Sequence, residues 1–213
     1  MLLYTANIGG YDKLQVTPQP GFDFRVYQNK IYELNSVKSA RYYKILNLEG
    51  YNVHEENNIS IWLDSNIKIK CDLKAFVNKW IANVDMVFME HGRDCIYEEM
   101  DACIERKKDT VENIERQRKF YLKRGYPKHA GMVGTGIIIR KLRGYDELDK
   151  FLMESWWNEV ERFSHRDQFS FNYALWKANG LNMGEPRLKF AYIPYSVFGN
   201  EFELVPHEKT HKK

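Results

Sequence analysis

An α/β fold with a mostly parallel sheet is predicted by this sequence, on three observations. Apolar runs of strand length alternate with amphipathic stretches of helical period. No apolar run approaches the about 20 residues that a membrane-spanning helix needs. Unusual polar residues collect just past several of the runs, at Asn7–Asp12, Asp64–Asn66, Glu90–Asp94 and Arg140. In parallel sheets the carboxyl ends of strands are where ligands gather.

Met1–Asn7 reads as a first strand and lacks the basic-then-apolar order of a signal peptide. It runs into Gly9-Gly10-Tyr11-Asp12, where two glycines permit a tight turn. Beyond Pro18, Pro20 and Gly21, a second strand covers Phe22–Tyr27. Ser36 is placed to cap a helix reaching Leu48, with Ala40, Tyr43 and Leu46 on helical spacing. Ile59–Leu63 is an apolar strand stopping at Asp64. Asp72 caps a helix to Ala82, whose Leu73, Phe76, Val77 and Trp80 recur three to four apart.

Asp85–Met89 is the next strand, followed by a charged, mostly helical stretch over residues 97–124 that breaks at Gly125-Tyr126-Pro127. Gly136–Arg140 is a strand, and Tyr145–Arg162 and Asp167–Ala178 are helices, the latter closed by Gly180. A last strand, Leu188–Ile193, precedes a polar tail. The expected organisation is one domain over residues 1–207, with 208–213 as a tail or a linker in a longer multidomain chain.

Composition bounds the function. The 213 residues are 44% hydrophobic and 15% aromatic, enough for one sizeable core. The 32 basic and 29 acidic residues, net +3, are too balanced to imply nucleic-acid binding. Cys71, Cys95 and Cys103 show neither C-x-x-C spacing nor an even framework, so reduced thiols in a cytoplasmic protein are expected. Neither nucleic acid nor membrane insertion is expected.

Five constellations carry chemistry, each with a plainer reading beside it. Asp64-Ser65-Asn66 offers a carboxylate and an amide oxygen to one hard cation, or else is an ordinary strand-ending turn. Arg41 and Lys44, with Lys38, make a basic helix stripe suited to a pyrophosphate, or a solvated face. His91 to Glu99 lines a cleft or caps a helix, with Arg93 paired to Glu98 or Glu99. Gly131-Met132-Val133-Gly134-Thr135-Gly136 permits close approach of a sugar or of backbone, or is a tight turn before the next strand. Ser164-His165-Arg166-Asp167-Gln168 opens a helix, with Ser164 or Asp167 as N-cap, and also packs site-like polarity into one place. His54, His129, His207 and His211 read as surface histidines, and Trp156-Trp157 as packing. Glu112/Arg116 and Glu115/Lys119 are spaced for helical pairs.

Taken in order, several blocks carry a resemblance. They are Tyr4-Thr5-Ala6 with Gly9-Gly10-Tyr11-Asp12, Arg41 and Lys44, and Ile61-Trp62-Leu63-Asp64-Ser65-Asn66-Ile67. His91 with Arg93 to Glu99 and Arg166-Asp167-Gln168-Phe169-Ser170-Phe171 complete them. The sequence resembles the glycosyltransferase-like domain of plant alkaline-ceramidase-related and mucilage-related proteins. Its compact size is also similar to that of a glycosyltransferase domain of chlorovirus capsid-glycan-modifying proteins.

The resemblance implies a GT-A fold, with a central mostly parallel mixed sheet flanked by helices. It implies a D-x-D motif, here Asp64-x-Asn66, holding Mn²⁺ or Mg²⁺ on a donor diphosphate. Asn66 in place of a second Asp removes one charge from the metal's grip. Thr5, Ala6, Asn7 and Asp12 would border a uridine, with Arg41, Lys44 and Ser65 near the diphosphate. Gly134, Thr135 and Gly136 would lie under the sugar, and His165 and Arg166 beside Asp167 and Gln168, which would contact sugar hydroxyls as the catalytic pair. The implied activity is transfer of a hexose or deoxyhexose from a UDP-sugar to a glycan hydroxyl, in the cytoplasm or, for a viral protein, the host cytoplasm. A non-catalytic nucleotide-sugar or glycan-binding module is the alternative. The resemblance leaves inversion and retention both open.

Overall fold

The computed structural model describes residues 1–46, 59–141, 147–180 and 188–207. In chain order the elements are β1 (Leu2–Ala6), β2 (Asp23–Tyr27), α1 (Ser36–Ile45), β3 (Ile59–Leu63), β4 (Ile67–Ile69), α2 (Leu73–Ile81), β5 (Met86–Glu90), α3 (Ile96–Glu105), α4 (Val111–Lys123), β6 (Val133–Lys141), α5 (Glu147–Arg162), a 3₁₀ turn (Asp167–Phe169), α6 (Phe171–Gly180), β7 (Phe190–Ile193), α7 (Tyr195–Glu201) and β8 (Phe202–Leu204). The chain forms two compact units. The first comprises Met1–Glu90, Thr135–Tyr145 and Leu188–Lys213, and the second His91–Gly134 and Asp146–Arg187.

A six-stranded sheet of order β2-β1-β3-β6-β5-β7 organises the first unit. β1 pairs in parallel with β2 and β3, β5 in parallel with β7, and β6 runs antiparallel to β3. With α1 against β1 and with α2 and α7 against β5, this is the predicted α/β class: a mixed, mostly parallel sheet flanked by helices. All five residues of β1 are buried, as in a strand covered on both faces.

Strand alternation sorts the side chains between the faces. Leu3, Ile61, Leu63, Ile137 and Ile139 share one core with Leu73, Phe76, Val77 and Ile81 of α2, and with Phe202. On the other face Tyr4 meets Trp62 edge-on at 5.3 Å. Arg140, 2% exposed, lies buried with them. Its guanidinium donates to the Tyr4 hydroxyl at 3.3 Å and to the carbonyls of Lys44 and Ile45 at 2.9 and 3.4 Å. The Tyr4 hydroxyl donates to the Lys44 carbonyl at 3.1 Å. Carbonyls in a last helical turn have no intrahelical donor, so these contacts cap α1 and hold it to the sheet. Arg140 therefore anchors a helix, where the sequence pattern marked it as a polar strand end.

Several local expectations are corrected. Asn35, not Ser36, caps α1; its extended backbone lets the side chain accept from Lys38 N, while Ser36 is already helical. Asp72 caps α2 as expected, accepting from Ala75 N at 3.0 Å. Gly134, Thr135 and Gly136 lie inside β6 rather than in a turn before it. A Cβ on Gly136 would sit 3.3 Å from Ile67 Cδ1 and Met89 Sδ and 3.6 Å from Asp64 Oδ2, so crowding accounts for this glycine. The 3₁₀ turn follows Arg166, with neither Ser164 nor Asp167 at its N-cap. Leu48, Tyr145, His54, His211 and the tail Glu208–Lys213 lie outside the described residues.

Helices α3 to α6 make the second unit, around Met100, Cys103, Ile114, Tyr121, Phe169 and Tyr173. Tyr121 stacks on Tyr173 at 3.8 Å. On α4, Glu115 pairs with Arg118 at 3.1 Å rather than with Lys119, and Arg116 donates to the Arg162 carbonyl rather than pairing with Glu112. Trp156 and Trp157 are buried, as packing residues should be. Among the described residues no helix is long and apolar enough to cross a membrane.

β4 and β8 form a small antiparallel sheet in the first unit. Phe202 secures it, 1% exposed, edge-on to Phe76 at 5.0 Å and stacked with Phe198 at 5.8 Å. Phe202→Ala should destabilise the first unit by about 3–5 kcal/mol, read as a lowered urea midpoint at unchanged slope. A midpoint within error of the parent would show that β8 is not tied to the core.

Candidate functional site

Parallel β1 and β3 end on one edge of the sheet, and antiparallel β6 begins there. This edge gathers Asn7–Asp12, Asp64–Asn66, Thr135 and Gly136 in the first unit. Asp64 is fixed first by its backbone, its N–H donating to the Gly136 carbonyl at 2.9 Å. Its Oδ1 accepts from Trp62 Nε1 at 2.8 Å and lies 3.0 Å from Lys44 Nζ and 4.0 Å from Arg41 Nη1.

Lys44 has no exposed side-chain surface. A buried ammonium is tolerable only when paired. Besides Asp64, its Nζ has Thr135 Oγ1 at 3.4 Å and the Trp62 ring centroid at 5.4 Å. The solvated-stripe alternative thus fails for Lys44. Arg41 and Lys44 do share a helix face, and that face is turned on Asp64. Asp64 is thus paired with two cations, and its own side chain is one-third exposed.

Ser65 and Asn66 bind neighbouring chain. Ser65 Oγ donates to Asp12 Oδ2 at 3.2 Å. Asn66 is buried; its Nδ2 donates to the Val205 carbonyl at 2.8 Å, and its own carbonyl accepts from Val205 N at 2.9 Å. Asn7 closes the glycine turn, its Nδ2 donating to the Asp12 carbonyl and its Oδ1 accepting from Asp12 N. Gly9 and Gly10 have φ of +66° and +64°, which explains the glycine pair.

Two further residues join Asp12. His207 Nδ1 lies 3.0 and 2.9 Å from the two carboxylate oxygens, and the Tyr11 ring is 5.5 Å from that imidazole. Burial and the Asp12 charge hold the Tyr11 phenol above its ordinary pKa, so it remains a hydrogen-bond donor. No local pattern marked His207, which is 195 residues from Asp12. At the end of β1, Thr5 and Ala6 are buried, and Thr5 Oγ1 has no hydrogen-bond partner among the described residues.

A second polar group belongs to the second unit. Asp109 Oδ2 accepts from Ser164 Oγ at 2.6 Å and His165 N at 3.0 Å, with His165 Nδ1 at 3.1 Å. Its Oδ1 accepts from Thr110 N at 2.6 Å. Sequence reading passed over Asp109, which lies in the charged helical stretch. Arg166 Nη2 donates to Gln168 Oε1 at 2.8 Å. Asp167 is 2% exposed, and its carbonyl accepts from Trp156 Nε1 and Ser170 N. Gly134 is buried at the start of β6. Arg93 pairs with Glu99 at 2.5 Å, the structural partner foreseen for it.

A mixed α/β sheet thus carries a strand-end aspartate held by the buried Lys44 and the partly buried Arg41. A sequence model of the TOD1/MUCI70 glycosyltransferase-like domain matches residues 28–194, well over half of the chain. The chain belongs to this family. No curated protein matches it. Among solved structures it is similar to the apo WbbM bifunctional glycosyltransferase, at 10% identity and a TM-score of 0.44, over 82% of this chain and 28% of that one. The apo mouse xyloside xylosyltransferase 1 is similar at 14% identity and a TM-score of 0.30, over 63% of this chain and 45% of that one. The chain thus spans less than half the length of either.

The Asp109 contacts predict a pH dependence. Burial opposes its ionisation, but the hydrogen bonds from His165, Ser164 and Thr110 and the His165 charge outweigh it, holding the carboxyl well below the usual carboxylate range. A depressed folded pKa contributes stability that is fully present above the unfolded value, about 3.9. That stability is lost as pH falls through the folded value. In thermal melts from pH 6 to pH 2, Asp109→Asn should lower stability at pH 6 and narrow its gap to the parent below about pH 4. A gap independent of pH would mean that Asp109 gains nothing from its charge.

Proposed function

We propose that this chain is a GT-A-type glycosyltransferase that moves a hexose or deoxyhexose from a UDP-sugar to a hydroxyl of a glycan. The observation that carries this reading is the Asp64 carboxylate clamped by Lys44, Arg41 and Trp62 at the ligand-binding edge of the sheet. The family assignment supports glycosyl transfer as the class of chemistry.

In the transfer, the bond from the anomeric carbon to the diphosphate oxygen breaks and a bond to the acceptor oxygen forms. The acceptor proton is released, and the leaving diphosphate takes the electron pair. Arg41 faces the developing negative charge, which is greatest in the transition state. Lys44 is the counter-ion that holds Asp64 in place. Thr5, Ala6, Asn7 and Asp12 border the nucleoside. Gly134, Thr135 and Gly136 are assigned to the sugar, and Asp167 and Gln168 to its hydroxyls, with His165 and Arg166 beside them; these roles rest on the resemblance.

The residues fit a hard cation. The described contacts of Asp64 fall on Oδ1, and Asn66 commits its amide nitrogen to Val205, so Asp64 Oδ2 and Asn66 Oδ1 are the oxygen donors that would hold Mn²⁺ or Mg²⁺. When bound, the ion would neutralise charge on the leaving diphosphate. Such an ion usually takes part of its oxygen shell from the substrate phosphates, so metal and diphosphate should bind together. Asn66 bound to Val205 also suits a second reading, a nucleotide-sugar-binding module without turnover.

Thermal shift and nucleotide release decide between these readings. Mn²⁺ alone should leave the melting temperature unchanged. Mn²⁺ with a matching UDP-sugar at a hundred times its Kd should raise it by about 5–10 °C, and EDTA should reverse the rise. Asp64→Ala should abolish this shift, after a check that the variant, which strands Lys44, is folded. Asp167→Ala should keep UDP binding and lose transfer. Stabilisation with no UDP release on any glycan acceptor supports the binding module, and no shift with UDP-, GDP- or dTDP-sugars overturns both readings.

A further inference from the structure

At the N-terminus of α3, Cys95, Glu98 and His129 bring one ligand atom each within 4.8 Å of the others. The thiol lies inside, Cys95 being 1% exposed. The side chains of Glu98 and His129 are 57% and 56% exposed and cover it from the solvent side. Cys95 occupies the N-cap position without making a side-chain capping bond, so its sulfur is not spent on the helix.

The neighbouring contacts resemble the support around a metal-bound histidine. His129 Nδ1 is 2.9 Å from Asp94 Oδ1. An ionised carboxylate only accepts, so Nδ1 carries the proton; metal binding takes the neutral imidazole, whose Nε2 offers its lone pair on the other side of the ring. That Nε2 lies 3.9 Å from Glu98 Oε1. A carboxylate behind a ligating imidazole is the usual way that tautomer and ring orientation are set. Ligand atoms around a tetrahedral Zn²⁺, with bonds of about 2.0–2.3 Å, stand roughly 3.3–3.6 Å apart. Closing from 3.9 Å needs only a small rotation of the exposed Glu98 side chain.

The two segments are already tied together. Gly131 N donates to the Asp94 carbonyl at 2.9 Å, and the Tyr97 hydroxyl donates to the Tyr126 carbonyl at 2.8 Å. His129 is held at φ 53°, a conformation uncommon for a residue with a Cβ. Its imidazole meets Asp94, just before the start of α3 and 35 residues earlier in the chain.

We infer that Cys95, Glu98 and His129 form a Zn²⁺ site, with Asp94 orienting the imidazole and water in the fourth position. A thiolate, an imidazole and a carboxylate suit borderline-soft Zn²⁺, whereas the all-oxygen donors at Asp64 and Asn66 suit Mn²⁺ or Mg²⁺. The ion clips residues 127–131 to the start of α3 and stabilises the second unit, independently of any nucleotide.

The test uses the whole chain, stripped with EDTA, dialysed and titrated with Zn²⁺ against a chromophoric chelator, and separately with Co²⁺ in an absorption spectrometer. One Zn²⁺ should bind per chain, and Co²⁺ should give a thiolate-to-metal charge-transfer band that Cys95→Ser removes. His129→Gln and Glu98→Gln, both at exposed side chains, should weaken Zn²⁺ binding at least 10-fold, and Asp94→Asn by about 10–100-fold. Asp64→Asn should leave it unchanged. Unaltered Zn²⁺ affinity in both His129→Gln and Glu98→Gln, or no thiolate band with Co²⁺, overturns the site. Should Cys95→Ser not fold, the two exposed-residue variants decide the matter.

Discussion

The ammonium of Lys44, shut off from water, is the constraint around which the first unit is arranged. A charge in that position needs a counter-ion at contact distance, and Asp64 supplies it at 3.0 Å. Arg140 and Tyr4 hold the last carbonyls of α1, which sets where Lys44 starts from. The Trp62 indole and the Gly136 carbonyl set where Asp64 stands. Core packing, helix capping and the polar edge of the sheet are therefore parts of one arrangement, and altering any of them moves the aspartate.

The two polar groups differ in kind. Around Asp64, two cations approach one carboxylate oxygen, and part of the side chain faces water. Around Asp109, hydrogen bonds from Ser164, His165 and Thr110 converge until little of the carboxylate is left for anything else. The Ser164–Gln168 stretch thus owes its order to a residue outside it. A dense polar sequence is consequently not the same as a ligand site, because much of its polarity can be consumed in holding its own backbone in place.

Most of the fold was legible in the sequence because its signals are local. Ile59–Leu63 and the Asp72-capped α2 could be placed from five to ten residues of pattern, and their bounds agree with the structure. Three kinds of feature were not legible. Asn35 and Ser36 are both good caps, and only the backbone angles choose between them. Gly134 and Gly136 look like turn residues, although both lie within β6, where a Cβ on Gly136 would crowd Ile67 and Met89. β4 and β8 have three residues each and pair across most of the chain, so neither has a period to detect. At the polar edge, the strand-end aspartate and the basic helix face could be read, whereas burial of Lys44 and the contact of His207 with Asp12 arise only on folding.

That last pairing has a consequence for how the protein is made. The chain grows from its N-terminus, so β1, β3 and the Asp64 turn exist long before Val205 and His207 are synthesised. Until then Asn66 lacks its backbone partner, Asp12 lacks its imidazole, and β4 is an open edge. Contacts this far apart in sequence form late, because the chain loses entropy in closing the loop before they return any free energy. The polar edge is therefore completed only after Val205 and His207 have been made, well after β1, β3 and the Asp64 turn.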